Sequence, residues 1–166
     1  MQLYEIFPTD ILNEHFVLLQ QILPPALFVY GHTSTGKSLV VQKVVETLDN
    51  IQYAIIHSIE CLTPRFFYES TLEQLGSEEK CDNPNDFARY LKLVDNGSPV
   101  CIVVDKAERM RDLNGGTMIP MLFKLQEFTG INITIVLISE IPYEKFRHGC
   151  GSLEPIHIFF PQYTKG

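Results

Sequence analysis

The residues Gly31-His32-Thr33-Ser34-Thr35-Gly36-Lys37-Ser38 combine glycines, hydroxyls and one lysine at a spacing that suits phosphate. They match G-x-x-x-x-G-K-[ST] at every fixed position. Glycines let the backbone turn tightly and bring successive N–H groups onto phosphate oxygens. A helix starting near Lys37 adds the partial positive charge of its N-terminus. Lys37 supplies an ammonium for the outer phosphates, and Ser38 supplies a hydroxyl ligand for Mg²⁺. The chemistry implied is binding of a nucleoside triphosphate such as ATP. The bland alternative is a glycine-rich turn between a strand and a helix.

Val100-Cys101-Ile102-Val103-Val104-Asp105 is an apolar run ending in a carboxylate. An aspartate at the end of such a strand can hold Mg²⁺ opposite the loop serine. Many ATPases carry a glutamate at the next position, where it polarises the attacking water. Here that residue is Lys106. An ammonium cannot accept a proton, and its charge opposes base chemistry. Glu108 is the remaining candidate base, although backbone direction has changed by that point. The expectation is ATP–Mg²⁺ binding with little or no hydrolysis. Ser139, after the fourth strand, could sense a terminal phosphate or cap the strand end. Arg147, in Tyr143-Glu144-Lys145-Phe146-Arg147, could reach a neighbouring subunit's ATP as an arginine finger, or be a solvated arginine.

These residues need a scaffold that gathers loops at one edge. Apolar runs at 26–30, Tyr53 to Ser58, Val100 to Val104, Ile131 to Ile138 and Ile156 to Phe160 read as strands. Helical patterns cover 9–23, Leu39 to Leu48, Pro64 to Leu75, Asp86 to Val94 and 117–128, with a short helical turn at 142–147. Pro24-Pro25 ends the first helix and Asn96-Gly97-Ser98-Pro99 marks a turn. Gly76 to Asn85 reads as a surface loop. Strands alternate with helices, and strands three and four are nearly unbroken apolar runs. That is the pattern of a parallel sheet covered on both faces. The chain is expected to form one nucleotide-binding unit over 1–166, with a helical segment at 1–25 and the phosphate-loop core at 26–163.

Composition narrows the alternatives. A chain of 166 residues suits one core. An apolar share of 45% and a mean hydropathy of +0.05 are those of a globular domain. No apolar run has the length of a membrane span. The N-terminus lacks the basic-then-apolar layout of a secretory signal. The cysteines at 61, 81, 101 and 150 show no metal-knuckle spacing, and no His-x-x-x-His pair occurs. They read as reduced core thiols. A net charge of −7 argues against a strong grip on nucleic acid by this domain alone. Lys106, Arg109 and Arg111 alternate with Asp105, Glu108 and Asp112, the pattern of a mixed-charge surface.

The phosphate loop with its preceding Tyr30 resembles that of the fifth-subunit family of the origin recognition complex. So do Val104-Asp105-Lys106-Ala107-Glu108, Leu122-Phe123-Lys124-Leu125-Gln126-Glu127, Leu137-Ile138-Ser139-Glu140-Ile141, Tyr143-Glu144-Lys145-Phe146-Arg147 and Ile158-Phe159-Phe160-Pro161-Gln162-Tyr163. The resemblance runs in order from about residue 26 to 163; before Ala26 it is loose, and Phe7 and Pro8 are the residues there that would meet adenine. It implies an AAA+ P-loop fold with a five-stranded parallel sheet of order 5-1-4-3-2. It implies a nuclear, DNA-bound assembly that loads the replicative helicase, with ATP held at subunit interfaces and origin DNA met through the complex. Gly36, Lys37, Ser38 and Asp105 carry over as nucleotide and Mg²⁺ residues, Ser139 as the sensor and Arg147 as the interface arginine. Family members continue into a helical lid and a winged-helix domain, so the lid and its phosphate-contacting arginine are expected to be absent from a chain stopping at Gly166. The competing readings are a catalytic P-loop ATPase or small phosphotransferase, and a fold used only for protein contacts.

Overall fold

The computed structural model describes residues 26–151 and 153–162. The helix expected at 9–23, the Pro24-Pro25 break, the contacts expected of Phe7 and Pro8, and Tyr163 lie outside the described residues. Among the described residues five strands form one sheet: β1 (Ala26–Gly31), β2 (Gln52–His57), β3 (Val100–Asp105), β4 (Ile133–Ser139) and β5 (Ile156–Phe160). All four pairings are parallel, and the order is β2-β3-β4-β1-β5. This is the expected 5-1-4-3-2 order read from the other edge.

Strand periodicity divides the core into two layers. Ala26, Phe28, Ile102, Val104, Ile135 and Leu137 face one side. Helices α2 (Pro64–Gln74), α3 (Pro84–Val94), α4 (Met118–Phe123) and α5 (Leu125–Thr129) cover that side with Phe67, Tyr68, Leu72, Phe87, Leu91, Leu122 and Leu125. Leu27, Val29, Cys101, Val103, Val136 and Ile138 face the other side. There α1 (Lys37–Thr47) packs Val41, Val44 and Val45 against them. Every residue of β4 is buried, which explains its unbroken apolar sequence. β2 is an edge strand. The Gln74 side chain closes part of that edge, taking the Ile55 N–H at 2.8 Å and donating to the Ile55 carbonyl at 2.9 Å.

Capping chemistry sets several boundaries. Thr63 accepts the Phe66 N–H, with Pro64 in the first turn of α2. Asn83 accepts the Asp86 N–H at 2.9 Å, so α3 begins at Pro84, inside the segment expected to be loop. α1 begins at Lys37, two residues before the apolar run that marked it. β4 runs Ile133–Ser139, so Ser139 ends the strand instead of following it. The helix expected over 117–128 is two short helices. At Lys124 (φ −97°, ψ −1°) the N–H donates to the Met121 carbonyl, a tightened i−3 turn. The turn expected at 142–147 is a 3₁₀ helix over Tyr143–Phe146.

All four cysteines are free and buried, in line with the reading as reduced core thiols. Burial pushes the Cys101 thiol up to about 12, which leaves it protonated and unreactive. Among the described residues no helix is long and apolar enough to cross a membrane.

Gly31 is fixed by close approach. It pairs with Phe160 of β5, and a Cβ there would collide with the Phe160 carbonyl oxygen. That obstacle is backbone held in a sheet and cannot rotate away. Gly31→Ala is expected to lower stability by about 1–3 kcal/mol, the usual range for overpacking. Urea unfolding of the variant against the parent checks it.

Candidate functional site

Parallel strands bring their C-terminal ends to one edge, where the connecting loops form a crevice. Gly31 ends β1, Asp105 ends β3 and Ser139 ends β4. Because β4 lies between β1 and β3, Tyr30 pairs with Ser139, and Val104 with Leu137. Residues more than 100 positions apart in sequence thereby share one cleft of about 270 Å³. Its walls are Thr33 to Leu39 from the loop and α1, Asp105, Lys106 and Glu108 after β3, and Ile138, Ser139 and Glu140 from β4.

The phosphate loop is locally self-supporting. Ser34 (φ 64°) and Gly36 (φ 84°) are left-handed, and these turns bend the chain around the space ahead of α1. A Cβ at Gly36 would meet nothing within 4 Å, so glycine serves conformation there and not space. Thr35 Oγ1 donates to the His32 carbonyl at 2.9 Å. Lys37 is 7% exposed, and its Nζ donates to the same carbonyl at 2.7 Å and to Thr35 Oγ1 at 3.3 Å. Burial lowers the Lys37 pKa, and the Glu140 carboxylate works against that shift. Gly31 lies beneath the loop against β5, and His32 contributes its carbonyl while its ring is exposed. Neither lines the cleft.

Opposite the loop, the Ser38 hydroxyl donates to Asp105 Oδ1 at 2.8 Å. A hydroxyl and a carboxylate brought together beside a buried lysine are the oxygen donors that Mg²⁺ accepts while bridging phosphates. His57, which ends β2, pairs its Nδ1 with Asp105 Oδ2 at 3.3 Å. The residues present fit a nucleotide with Mg²⁺: N–H donors, a buried ammonium and a hard-oxygen pair converge on one cleft.

Lys106 takes the position after Asp105 in left-handed geometry (φ 53°, ψ 49°). That geometry costs a non-glycine residue about 1–2 kcal/mol. The Lys106 N–H donates to Asp105 Oδ1 at 2.9 Å, which fixes the peptide. The Lys106 ammonium reaches across to Glu140 Oε1 at 3.2 Å. Glu108, on the short 3₁₀ helix Ala107–Met110, lines the same cleft. Its Oε2 is buried without a hydrogen-bond partner among the described residues. The change of backbone direction after Asp105 therefore does not carry Glu108 away from the cleft.

Ser139 is buried, and its Oγ accepts the Ile141 N–H at 3.0 Å while the residue lines the cleft. Arg147 lies outside the cleft lining. Its guanidinium makes a two-pronged pair with Glu154 at 2.7 and 3.0 Å, and it lies 5.0 Å from the Tyr143 ring centroid. Two residues escaped sequence reasoning, Glu140 and His57. Each directly follows or ends an apolar strand, the same signal that marked Asp105.

Among known proteins, the family model described as AAA domain matches residues 24–143. The human origin recognition complex subunit 5 is 36% identical over 157 residues, covering 86% of this chain and 36% of that protein. Its Drosophila melanogaster counterpart is 32% identical, covering 86% of this chain and 33% of that protein. The chain thus spans about a third of the length of these curated relatives. A chain in the structure of the Drosophila origin recognition complex bound to DNA superposes with a TM-score of 0.87 at 30% identity, over 98% of this chain and 45% of that one. The Aeropyrum pernix ORC2 protein, solved in ADPNP–ADP complexes, shares the fold with a TM-score of 0.77 at 13% identity, over 93% of this chain and 47% of that one. The sheet order, the phosphate loop and these likenesses agree: the chain belongs to the AAA domain family, as a P-loop unit resembling that of origin recognition complex subunit 5.

Proposed function

We propose that this chain is the ATP-binding part of an origin recognition complex subunit, which holds ATP–Mg²⁺ at a subunit interface and hydrolyses it little or not at all. One observation carries the reading: the Ser38–Asp105 pair and the buried Lys37 line one cleft with Lys106, which stands at the position where hydrolysis calls for a carboxylate. Bound ATP–Mg²⁺ supplies charge and contacts that exist only in the liganded state, and so favours the assembled complex by mass action. We assign the roles within the chain from the motif positions and the family resemblance. Backbone N–H groups of Thr33 to Lys37 and the start of α1 cradle phosphate. Lys37 binds the outer phosphates, Ser38 and Asp105 hold Mg²⁺, and Ser139 stands at the strand end as a polar sensor. Arg147, on the surface and preset by Glu154, contacts the neighbouring subunit's nucleotide. Origin DNA is met through the assembly, since the chain carries a net charge of −7. The compartment is the nucleus. The relatives' names support this assignment.

A second reading has one observation in its favour. The unpartnered, buried Glu108 Oε2 in the cleft is what a general base for a catalytic ATPase or a small phosphotransferase would offer.

Saturating ATP–Mg²⁺ is expected to stabilise the chain by about 2.7 kcal/mol at a hundredfold excess over Kd. Lys37→Ala should abolish that shift in a thermal melt and weaken co-elution with partner subunits on gel filtration. Complexes equally stable with and without Lys37 and ATP would remove the interface role. Single-turnover hydrolysis by the assembled complex should run below about 1 s⁻¹ at this site, and a faster Lys37-dependent rate that falls in Glu108→Gln would establish the second reading. Arg147→Ala is expected to leave ATP binding by this chain unchanged and to weaken assembly with the neighbouring subunit, measured by the same two methods.

A further inference from the structure

Glu140 is a carboxylate where a phosphate cleft has no evident use for one. It is the first residue past β4, and the Lys106 side chain reaches across the cleft to it. The Lys106 ammonium donates to Glu140 Oε1 at 3.2 Å. That bond, with the Thr33 hydroxyl and the Lys37 charge behind it, holds the Glu140 carboxyl below its usual range. Lys37, Lys106 and Glu140 all line the same cleft. An anion paired with one lysine of a phosphate cleft, and lining that cleft with the other, fills the electrostatic place that phosphate takes. Lys106 is held there by its own backbone. Its left-handed residue persists because its N–H is tied to Asp105 Oδ1 at 2.9 Å. An ion pair half open to solvent contributes little to folding. Fold stability is therefore a poor reason for this backbone cost, and a role in the cleft is a better one.

We propose that Lys106 is a second phosphate-binding cation of this site, specific for the terminal phosphate, and that Glu140 is its internal counter-ion when that phosphate is missing. The proposal rests on the ATP-binding reading above. A third phosphate takes Lys106 from Glu140 and repels the freed carboxylate. A diphosphate leaves the Lys106–Glu140 pair in place. The pair thus lets the cleft distinguish ATP from ADP. Lys106 is a binding residue in this scheme, and Glu140 acts through it.

Isothermal titration of the full chain with ATP and ADP, each with Mg²⁺, tests the scheme. Loss of a charge-assisted hydrogen bond predicts that Lys106→Met weakens ATP about tenfold and ADP less than about twofold. Glu140→Gln should tighten ATP several-fold, and this gain should vanish in the double variant. Lys106→Arg, which keeps the charge, should retain the preference for ATP; its behaviour decides the matter if Lys106→Met does not fold. Equal losses for both nucleotides, no loss of ATP affinity, or weaker ATP binding in Glu140→Gln would overturn the proposal. A parent chain that binds neither nucleotide overturns the ATP reading and this proposal together. A parent chain that binds both, with an unchanged ATP-to-ADP ratio in Lys106→Met, overturns this proposal alone.

Discussion

The hydrogen bond from Ser38 to Asp105 joins the first turn of α1 to the end of β3, across 67 positions of sequence. It exists only if two conditions hold at once. β3 and β1 must lie on either side of β4 in the right register, and the loop must turn tightly enough to start α1 at Lys37. The first condition comes from the buried strands. The second comes from Gly36 in left-handed geometry and from the His32 carbonyl, which both Thr35 and Lys37 engage. Gly31 links the two, since its missing side chain lets β5 pair closely beside the loop. The donor set for phosphate and Mg²⁺ is therefore a consequence of sheet order and loop geometry together.

Charge decides what such a cleft does with its ligand. Lys37 and Lys106 face Asp105, Glu108 and Glu140. Asp105 is occupied by Ser38, the Lys106 N–H and His57. Glu140 is occupied by Lys106. Glu108 offers a buried carboxylate oxygen without a hydrogen-bond partner among the described residues. A lysine after Asp105 adds attraction for phosphate and removes the proton acceptor from that position. Under the proposed function, tight holding and slow hydrolysis both trace to Lys106.

Much of this was legible in the sequence. The phosphate loop, the apolar strand ending at Asp105 and the alternation of strands and helices predicted a parallel sheet covered by helices, and the family resemblance supplied its strand order. Boundaries were less legible where side-chain caps set them. Asn83 begins α3 within a polar stretch because its side chain takes the Asp86 N–H, and polarity alone reads as loop. The split of the 117–128 helix rests on one tightened turn at Lys124, in a segment whose apolar spacing is continuous. Thr33 to Ser38, Asp105, Glu108 and Ser139, all named from the sequence, line the cleft. Glu140 was not legible, because its importance comes from Lys106, 34 positions earlier, reaching it across the cleft. Pairings of that kind depend on strand order, which local periodicity does not encode.

Under the proposed function the triphosphate is held and not spent. The most direct test of this is the nucleotide released by denaturing the gently purified complex and resolved by ion-exchange chromatography. Intact ATP, stoichiometric with this chain and lost in Lys37→Ala, is the predicted result. ADP at this site, or no nucleotide at all, would contradict the account.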